Sequence, residues 1–383
     1  MTDSVARVET FLVAPRWLMV RVETADGVVG WGEATCEGRA ETVRTCVEQL
    51  SELLVGQDPS RIADHWQVMT KASFYRTGPI LSSAVSGLDQ ALWDIKGKRL
   101  GAPVHELLGG PVRDRVRMYA WVGGDEPGQV AEQVAVRVEQ GLTAVKMNGT
   151  GRVGLLLTKA EVDDAVARVG AAREALGDAG DVAIDFHGRV SVPSARRLAH
   201  ALEPLFPMFI EEPTPPDDQH LLAEVVRASS VPVATGERLY ARAQFLPVLE
   251  AGVRIVQPDL CHAGGISEVM RIGALAETYG ALLAPHCPLG PVALAACLQV
   301  GFASYTHVIQ ESSLGIHYNK VADILTYLVD TSVFDIVDGS IERLVAPGLG
   351  IDVDEAAVRA ADREPFAWQA PLWRHDDGAF AEW

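Results

Sequence analysis

The chain has 383 residues, 48% apolar and 22% charged, the balance of a well-cored globular protein long enough for a barrel-sized domain plus a smaller one. A formal net charge of −18 without any Lys/Arg-rich run argues against a nucleic-acid partner, and means that an anionic substrate would need a local positive centre such as a metal ion. Cys36, Cys46, Cys261, Cys287 and Cys297 are odd in number and lack CxxC spacing, which points to reduced thiols in a cytoplasmic protein and away from a disulfide or zinc framework.

The opening residues show no basic segment followed by an apolar core, so no secretory signal is expected. Residues 5–13 and 17–24 alternate, Asp26-Gly27 makes a hairpin turn, and 28–33 returns as a third strand. Apolar positions at three-to-four spacing then predict helices over 40–54, 59–70, 82–100 and 104–108. Strands first and helices second, without alternation, indicate an α+β domain over 1–112 that ends at the turn cluster Gly109-Gly110-Pro111.

From Val116 the pattern becomes strand, loop, helix, repeated. Strands are predicted at 118–122, 143–147, 182–187, 208–212, 233–237, 255–259, 281–286 and 308–311. The helices between them fall at 129–140, 159–176, 194–205, 220–228, 241–251, 266–279 and 292–301. Eight steps of about 25 residues are what a TIM barrel requires, so the expected fold is α/β: a modified TIM barrel over 113–320 with an α+β capping domain. Residues 321–383 return to the cap or complete the barrel. The most apolar span, 280–303, carries Pro285, Pro288 and Pro291 beside His286 and fits a strand end and loop, not a membrane span.

The acids are the informative feature. Asp185, Glu211 and Glu237 lie about 26 residues apart, one barrel step each, and each ends its predicted strand. Strand C-termini face the active site of such a barrel, so three carboxylates would converge there and must either take up protons or share a cation. All-oxygen ligation suits Mg²⁺. Asp185 and His187, two apart in a strand, would share one face. Asp259, His286 and Glu311 end the next three strands. Asp259 can bond one nitrogen of His286 and make it a general base, with His187 across the mouth as the opposing general acid. Any one acid alone would read as a helix cap or an ion-pair partner. His262-Ala263-Gly264-Gly265 is similar to a phosphate loop, although such loops are common after barrel strands. Trp66, Trp93 and Trp121 are expected in the core.

Long stretches of the chain carry a more specific signal. Gly27-Val28-Val29-Gly30-Trp31-Gly32-Glu33, Asp89-Gln90-Ala91-Leu92-Trp93-Asp94, Asp185-Phe186-His187-Gly188-Arg189, Gln257-Pro258-Asp259-Leu260, Ala284-Pro285-His286-Cys287-Pro288 and Gly315-Ile316-His317-Tyr318-Asn319-Lys320 resemble the mandelate-racemase-like branch of the enolase superfamily. The resemblance runs nearly end to end. It implies Mg²⁺ held by Asp185, Glu211 and Glu237, His286 as base with Asp259 as its partner, His187 as acid, and Glu311 stabilising a charged intermediate. The second-strand Lys-x-Lys of the lysine-base members appears here as Lys146-Met147-Asn148. Lys146 and Asn148 are therefore expected to hold substrate, and residues near Arg16-Trp17 and Phe74-Tyr75-Arg76 of the cap to touch its distal hydroxyls. The implied chemistry is loss of water from a small-molecule acid sugar by α-proton abstraction and β-elimination. Another acid-sugar epimer as substrate, or racemisation by the same histidine pair, stays open at this point. A non-catalytic sugar-acid binder would be expected to have lost a ligand or a histidine, and all are present. Relatives of this kind imply a homo-oligomer, an octamer by analogy, with neither nucleic acid nor membrane as partner.

Overall fold

A computed structural model describes residues 3–316, 319–363 and 368–383. His317 and Tyr318 of the glycine-led stretch lie outside the described residues. The chain opens with β1 (Val5–Val13), β2 (Trp17–Thr24) and β3 (Val29–Glu33), an antiparallel meander whose second turn closes through Gly27 at φ +87°. Helices α1 (Ala40–Leu54) and α3 (Pro79–Leu100) pack against this sheet, and α2 (Ile62–Lys71) packs against those two helices. On α1 the buried residues are Val43, Val47, Leu50 and Leu54, one stripe at three-to-four spacing.

Helix α3 is different because it lies between the cap sheet and the barrel. It is buried along most of its length, so its polar residues must find partners in both units. The Gln90 amide accepts from Glu33 N at 3.0 Å and donates to Leu260 O at 2.9 Å. Asp94 accepts from Trp31 N and Leu349 N, both at 2.9 Å. Asp89 accepts from the Ser267 hydroxyl at 2.6 Å and main-chain N at 2.9 Å. Closeness here depends on glycine: a Cβ added to Gly32 would collide with the Gly87 carbonyl of α3.

After α4 (Val104–Leu107), strands and helices alternate: β4 (Arg115–Trp121), α5 (Pro127–Glu139), β5 (Ala144–Asn148), α6 (Lys159–Leu176), β6 (Asp181–Asp185), α7 (Val192–Leu202), β7 (Ile210–Glu211), α8 (Leu222–Ala228) and β8 (Val233–Thr235). The series continues through α9 (Arg242–Glu250), β9 (Ile255–Val256), α10 (Gly265–Thr278), β10 (Leu282–Leu283), α11 (Pro291–Ala303) and β11 (Gln310–Ser312). Strands β4 to β10 pair in parallel, each with the next. A bridge from Leu283 to His307 and the pairing of β11 with β4 close the ring. The expected barrel is present. Its strands are shorter than predicted where the site lies, because residues after β6 to β10 leave the ladder to aim side chains inward: His187 and Glu212 take φ of +56° and +43°.

Each barrel strand region contributes one side chain to an interior layer: Tyr119, Ala144, Ala183, Phe209, Ala234, Ile255, Ala284 and Ile309. Large and small residues mix, and the Tyr119 and Phe209 rings meet edge-on at 6.3 Å. Two positions on, the same inward face carries polar groups: Lys146, Asp185, Glu211, Gln257, His286 and Glu311. The alternation of the strands thus sets an apolar floor beneath a charged layer.

Residues after the barrel go to both units. After β12 (Ile336–Val337), β13 (Ser340–Glu342) pairs antiparallel with β4, while α12 (Glu355–Ala361) packs on β1 with Arg359 bonded to Glu9 at 3.0 Å. The hairpin β14 (Trp373–Arg374) and β15 (Phe380–Ala381) follows. No helix among the described residues is long and apolar enough to cross a membrane. Gly32→Ala should cost about 1–3 kcal/mol through overpacking of β3 against α3, read as a lowered midpoint in thermal unfolding; an unchanged midpoint would mean the two elements separate freely.

Candidate active site

A cavity of about 940 Å³ opens at the C-terminal ends of the barrel strands. Lys146, Asn148, Asp185, His187, Glu237, His286 and Glu311 line it, with Trp121, Trp368, Trp373 and Trp383 among its walls. Glu211 and Asp259 are fully buried beside it.

Strand phase explains Asp185, Glu211, His286 and Glu311, each two residues beyond a floor residue. Glu237 needs a further device. Gly236, at φ +140°, turns the chain after β8, and a Cβ there would strike Phe245 and Gln257 N. The Glu212 carboxylate secures this turn by accepting from Gly236 N at 3.0 Å and Thr235 Oγ1 at 2.7 Å, while Arg238 pairs with it at 2.7 Å. His187 shares a space with Asp185 for a reason other than strand alternation. The strand ends at Asp185, and the left-handed His187 folds back so that its N–H donates to Asp185 Oδ1 at 2.6 Å.

Electrostatics dominate the layer. Burial pushes the Asp185 carboxyl up to about 6, with Lys146 opposing and Glu237 reinforcing the rise. Burial likewise raises Glu211 to about 7, against Lys146 and with Asp185. Glu237 also rises to about 7 by burial, opposed by His286 and Arg238. His286 donates from Nδ1 to Asp259 Oδ2 at 2.8 Å, and its Nε2 lies 3.1 Å from Glu237 Oε2. Burial pulls its pKa down, but Glu237, Glu311 and Asp259 together hold it well above the usual imidazole value. His187 goes the other way: burial, then the charges of Arg189 and Arg238, keep it well below.

Several expectations for substrate contacts are corrected. The Lys146 ammonium reaches the cavity and is also bonded to Glu211 at 2.7 Å and Glu311 at 2.9 Å, so it neutralises acids as well. Trp17 is fully buried, its ring edge-on to Tyr327 at 6.0 Å, and does not line the cavity. Arg16 is buried behind the wall, bonded to Pro288 O at 3.0 Å and stacked on Trp368 at 5.0 Å. Phe74 and Tyr75 are exposed and outside the lining. Asn148 does reach the cavity, and Trp121, expected in the core, is part of its wall. The glycine-rich 262–265 stretch leads into α10 and takes the Trp66 indole N–H on Gly264 O at 2.9 Å, a packing role.

Among the described residues, no three His, Cys, Asp or Glu side chains stand together as a metal cage. Each of the three acids is instead bonded to its own chain: Asp185 to His187 N, Glu211 to Lys146 and Gln257, Glu237 to His286. The donor set still fits a hard divalent cation. The groups are all carboxylate, at the ends of three adjacent strands, desolvated, and Asp185 raises Glu211, Glu211 raises Glu237 and Glu237 raises Asp185.

The described geometry, a capped barrel with acids and imidazoles at its strand ends, defines a class, and comparison identifies it. Residues 8–109 match the mandelate racemase/muconate lactonizing enzyme N-terminal domain, and residues 129–357 match the enolase C-terminal domain-like family. The chain belongs to the mandelate racemase/muconate lactonizing enzyme branch of the enolase superfamily. It is 50% identical to a D-galactonate dehydratase of Variovorax paradoxus (strain S110), over 99% of this chain and 100% of the relative. It is 51% identical, at the same coverage, to a D-galactonate dehydratase of Ralstonia pickettii (strain 12J). A crystal structure of an enolase from Agrobacterium radiobacter, bound to Na and L-malate, superposes with a TM-score of 0.91 at 33% identity, covering 99% of each chain.

The raised carboxyls give a pH prediction. Asp185, Glu211 and Glu237 bind protons more tightly folded than unfolded, so their contribution to stability is full below about pH 4 and is lost as pH rises through 6 to 7. A cation that holds the carboxylates ionised offsets that loss. Mg²⁺ should therefore raise the thermal midpoint more at pH 8 than at pH 5; an equal gain at both would contradict the assignment of these acids.

Proposed function

We propose that this chain is a Mg²⁺-dependent dehydratase converting D-galactonate to 2-dehydro-3-deoxy-D-galactonate and water. The observation that carries the reading is the pair of imidazoles, His187 and His286, facing one cavity over a layer of acids, each ring held by a separate partner. Full-length likeness to D-galactonate dehydratases supports the substrate, and the relative bound to Na and L-malate, a hydroxy acid, supports a fold that takes both a cation and a hydroxy acid.

Asp185, Glu211 and Glu237 would hold the metal, which when bound supplies positive charge for the substrate carboxylate and for the negative charge that develops on loss of the α-proton. Asp259 fixes His286 with Nδ1–H inward, so Nε2 is the nitrogen that takes the C2 proton. Glu237, which faces Nε2 at 3.1 Å in the described structure, must release the ring, and Nε2 must lose the proton that this contact holds, before the ring can act as base. As the C2–H bond breaks, its electron pair forms the C2–C3 double bond and the C3–O bond opens. The departing hydroxyl takes a proton from Nε2 of His187 in its imidazolium form, whose Nδ1–H stays on the Trp383 oxygen, and leaves as water; the ring regains that proton from solvent, and the enol tautomerises to the 2-keto product. Lys146 and Glu311 keep the layer neutral and ordered, and Asn148 is placed to bond a substrate hydroxyl.

His286→Asn should abolish both C2 proton exchange and dehydration. His187→Asn should lower dehydration by about 100-fold to 10,000-fold while leaving exchange at C2. The assay is 2-keto acid formation with Mg²⁺, alongside deuterium incorporation in recovered galactonate. Inversion or exchange at C2 by the unmodified protein, without loss of water, would reject the dehydratase and favour a racemase.

A further inference from the structure

The two imidazoles are held by different kinds of partner. A carboxylate, Asp259, orients His286 from within the barrel. On the Nδ1 side of His187 the Trp383 main-chain oxygen stands at 2.8 Å. That oxygen can only accept, so Nδ1 carries the hydrogen and Nε2 is the nitrogen left for the cavity. The Trp383 indole meets the His187 ring edge-on, with centroids 5.4 Å apart and planes at 79°. The His187 main chain is tied separately, through its N–H to Asp185.

The segment that delivers Trp383 is itself fastened to both units. Trp368 lies under Arg16 of the cap at 5.0 Å, Trp373 under Arg189 of the β6–α7 loop at 4.9 Å, and Trp368 and Trp383 touch at 6.0 Å. All three tryptophans form part of the cavity wall. A hairpin anchored this way presents the oxygen and the indole at a fixed place relative to a ring some 196 residues away in sequence.

We propose that Trp383 is a positioning residue for the acid half of the elimination: its main-chain oxygen sets the His187 ring with Nε2 toward the cavity, and its indole blocks rotation of that ring and keeps water from it. The proposal rests on the dehydratase reading for its chemical consequence, but the ring orientation stands without it. Because His286 is held by Asp259, on the opposite side, loss of Trp383 affects proton donation to the leaving hydroxyl more than proton removal at C2.

The test is to compare the full chain with W383A, W383F and a variant lacking Trp383, each loaded with Mg²⁺ and incubated with D-galactonate in D₂O. Deuterium at C2 of recovered substrate is measured against 2-keto product. In W383A and the deletion, the ratio of exchange to elimination should rise by about 10-fold to 100-fold, and W383F should restore most of the loss. A parallel fall in both rates, or an unchanged ratio, overturns the proposal. Imidazole ¹⁵N spectra, with His187→Asn to assign the ring, supply a readout that needs no turnover. The unmodified protein should show His187 as the Nδ1–H tautomer and the variant lacking Trp383 a mixture; identical spectra would overturn the proposal. If the unmodified protein neither exchanges nor dehydrates galactonate, the dehydratase reading has failed, and the spectra alone decide the role of Trp383.

Discussion

Packing several carboxylates into the mouth of an apolar barrel is the constraint on which the rest of this structure depends. Asp185, Glu211, Glu237, Asp259 and Glu311 lie within a layer of buried or nearly buried groups directly above Tyr119, Phe209 and Ile255. Desolvated like charges repel strongly, and none can relax into solvent. The fold answers with cations at fixed places: Lys146 between Glu211 and Glu311, His286 between Asp259 and Glu237, Arg238 on Glu212. Burial still raises the Asp185 carboxyl to about 6 and those of Glu211 and Glu237 to about 7, and this residual strain is the electrostatic basis of the divalent cation proposed at these acids.

Holding such a layer requires a rigid surround. The cap is joined to the barrel by hydrogen bonds from Asp89, Gln90 and Asp94 of one helix, and by Glu33, which caps α11 through Gly290 N at 2.9 Å and Ala293 N at 3.1 Å. Burial pushes both Glu33 and Asp89 up to about 7, a sign of how dry this joint is. Cap, barrel and the segment after them each supply a part of the cavity wall or its backing. Arg16 supports Trp368 from the cap, the strands bring the acids, and the final hairpin brings Trp373 and Trp383. The site is a property of all three stretches.

Periodicity made most of the fold legible. The helices 40–54 and 159–176 agree with the structure residue for residue, because their apolar stripes are long and their ends carry clear signals such as the Thr158–Glu161 capping box. The strands carrying the site were predicted too long. Their apolar runs continue through Ala284 and Phe186, whose N–H groups still bond Val256 O and Glu211 O, but regular pairing ends one residue earlier, and a sequence pattern registers burial without registering pairing. Glu212 was passed over for a similar reason. It looked like the tail of a strand, whereas its carboxylate holds the turn that presents Glu237. The Glu211-Glu212 doublet ahead of Pro213 was the available signal.

By itself the sequence determined the capped barrel, the family and the strand ends at which the acids and histidines fall, because period-two alternation and a regular step length are local properties of the chain. Tertiary structure alone decided which groups are already paired. Lys146 looked free to hold substrate and is bonded to two acids; Arg16 and Trp17 looked adjacent to the cavity and sit behind it or in the core. It also decided that Trp383 meets His187. Contacts between residues so far apart in the chain are fixed by how whole elements pack, and no local pattern of residues encodes them.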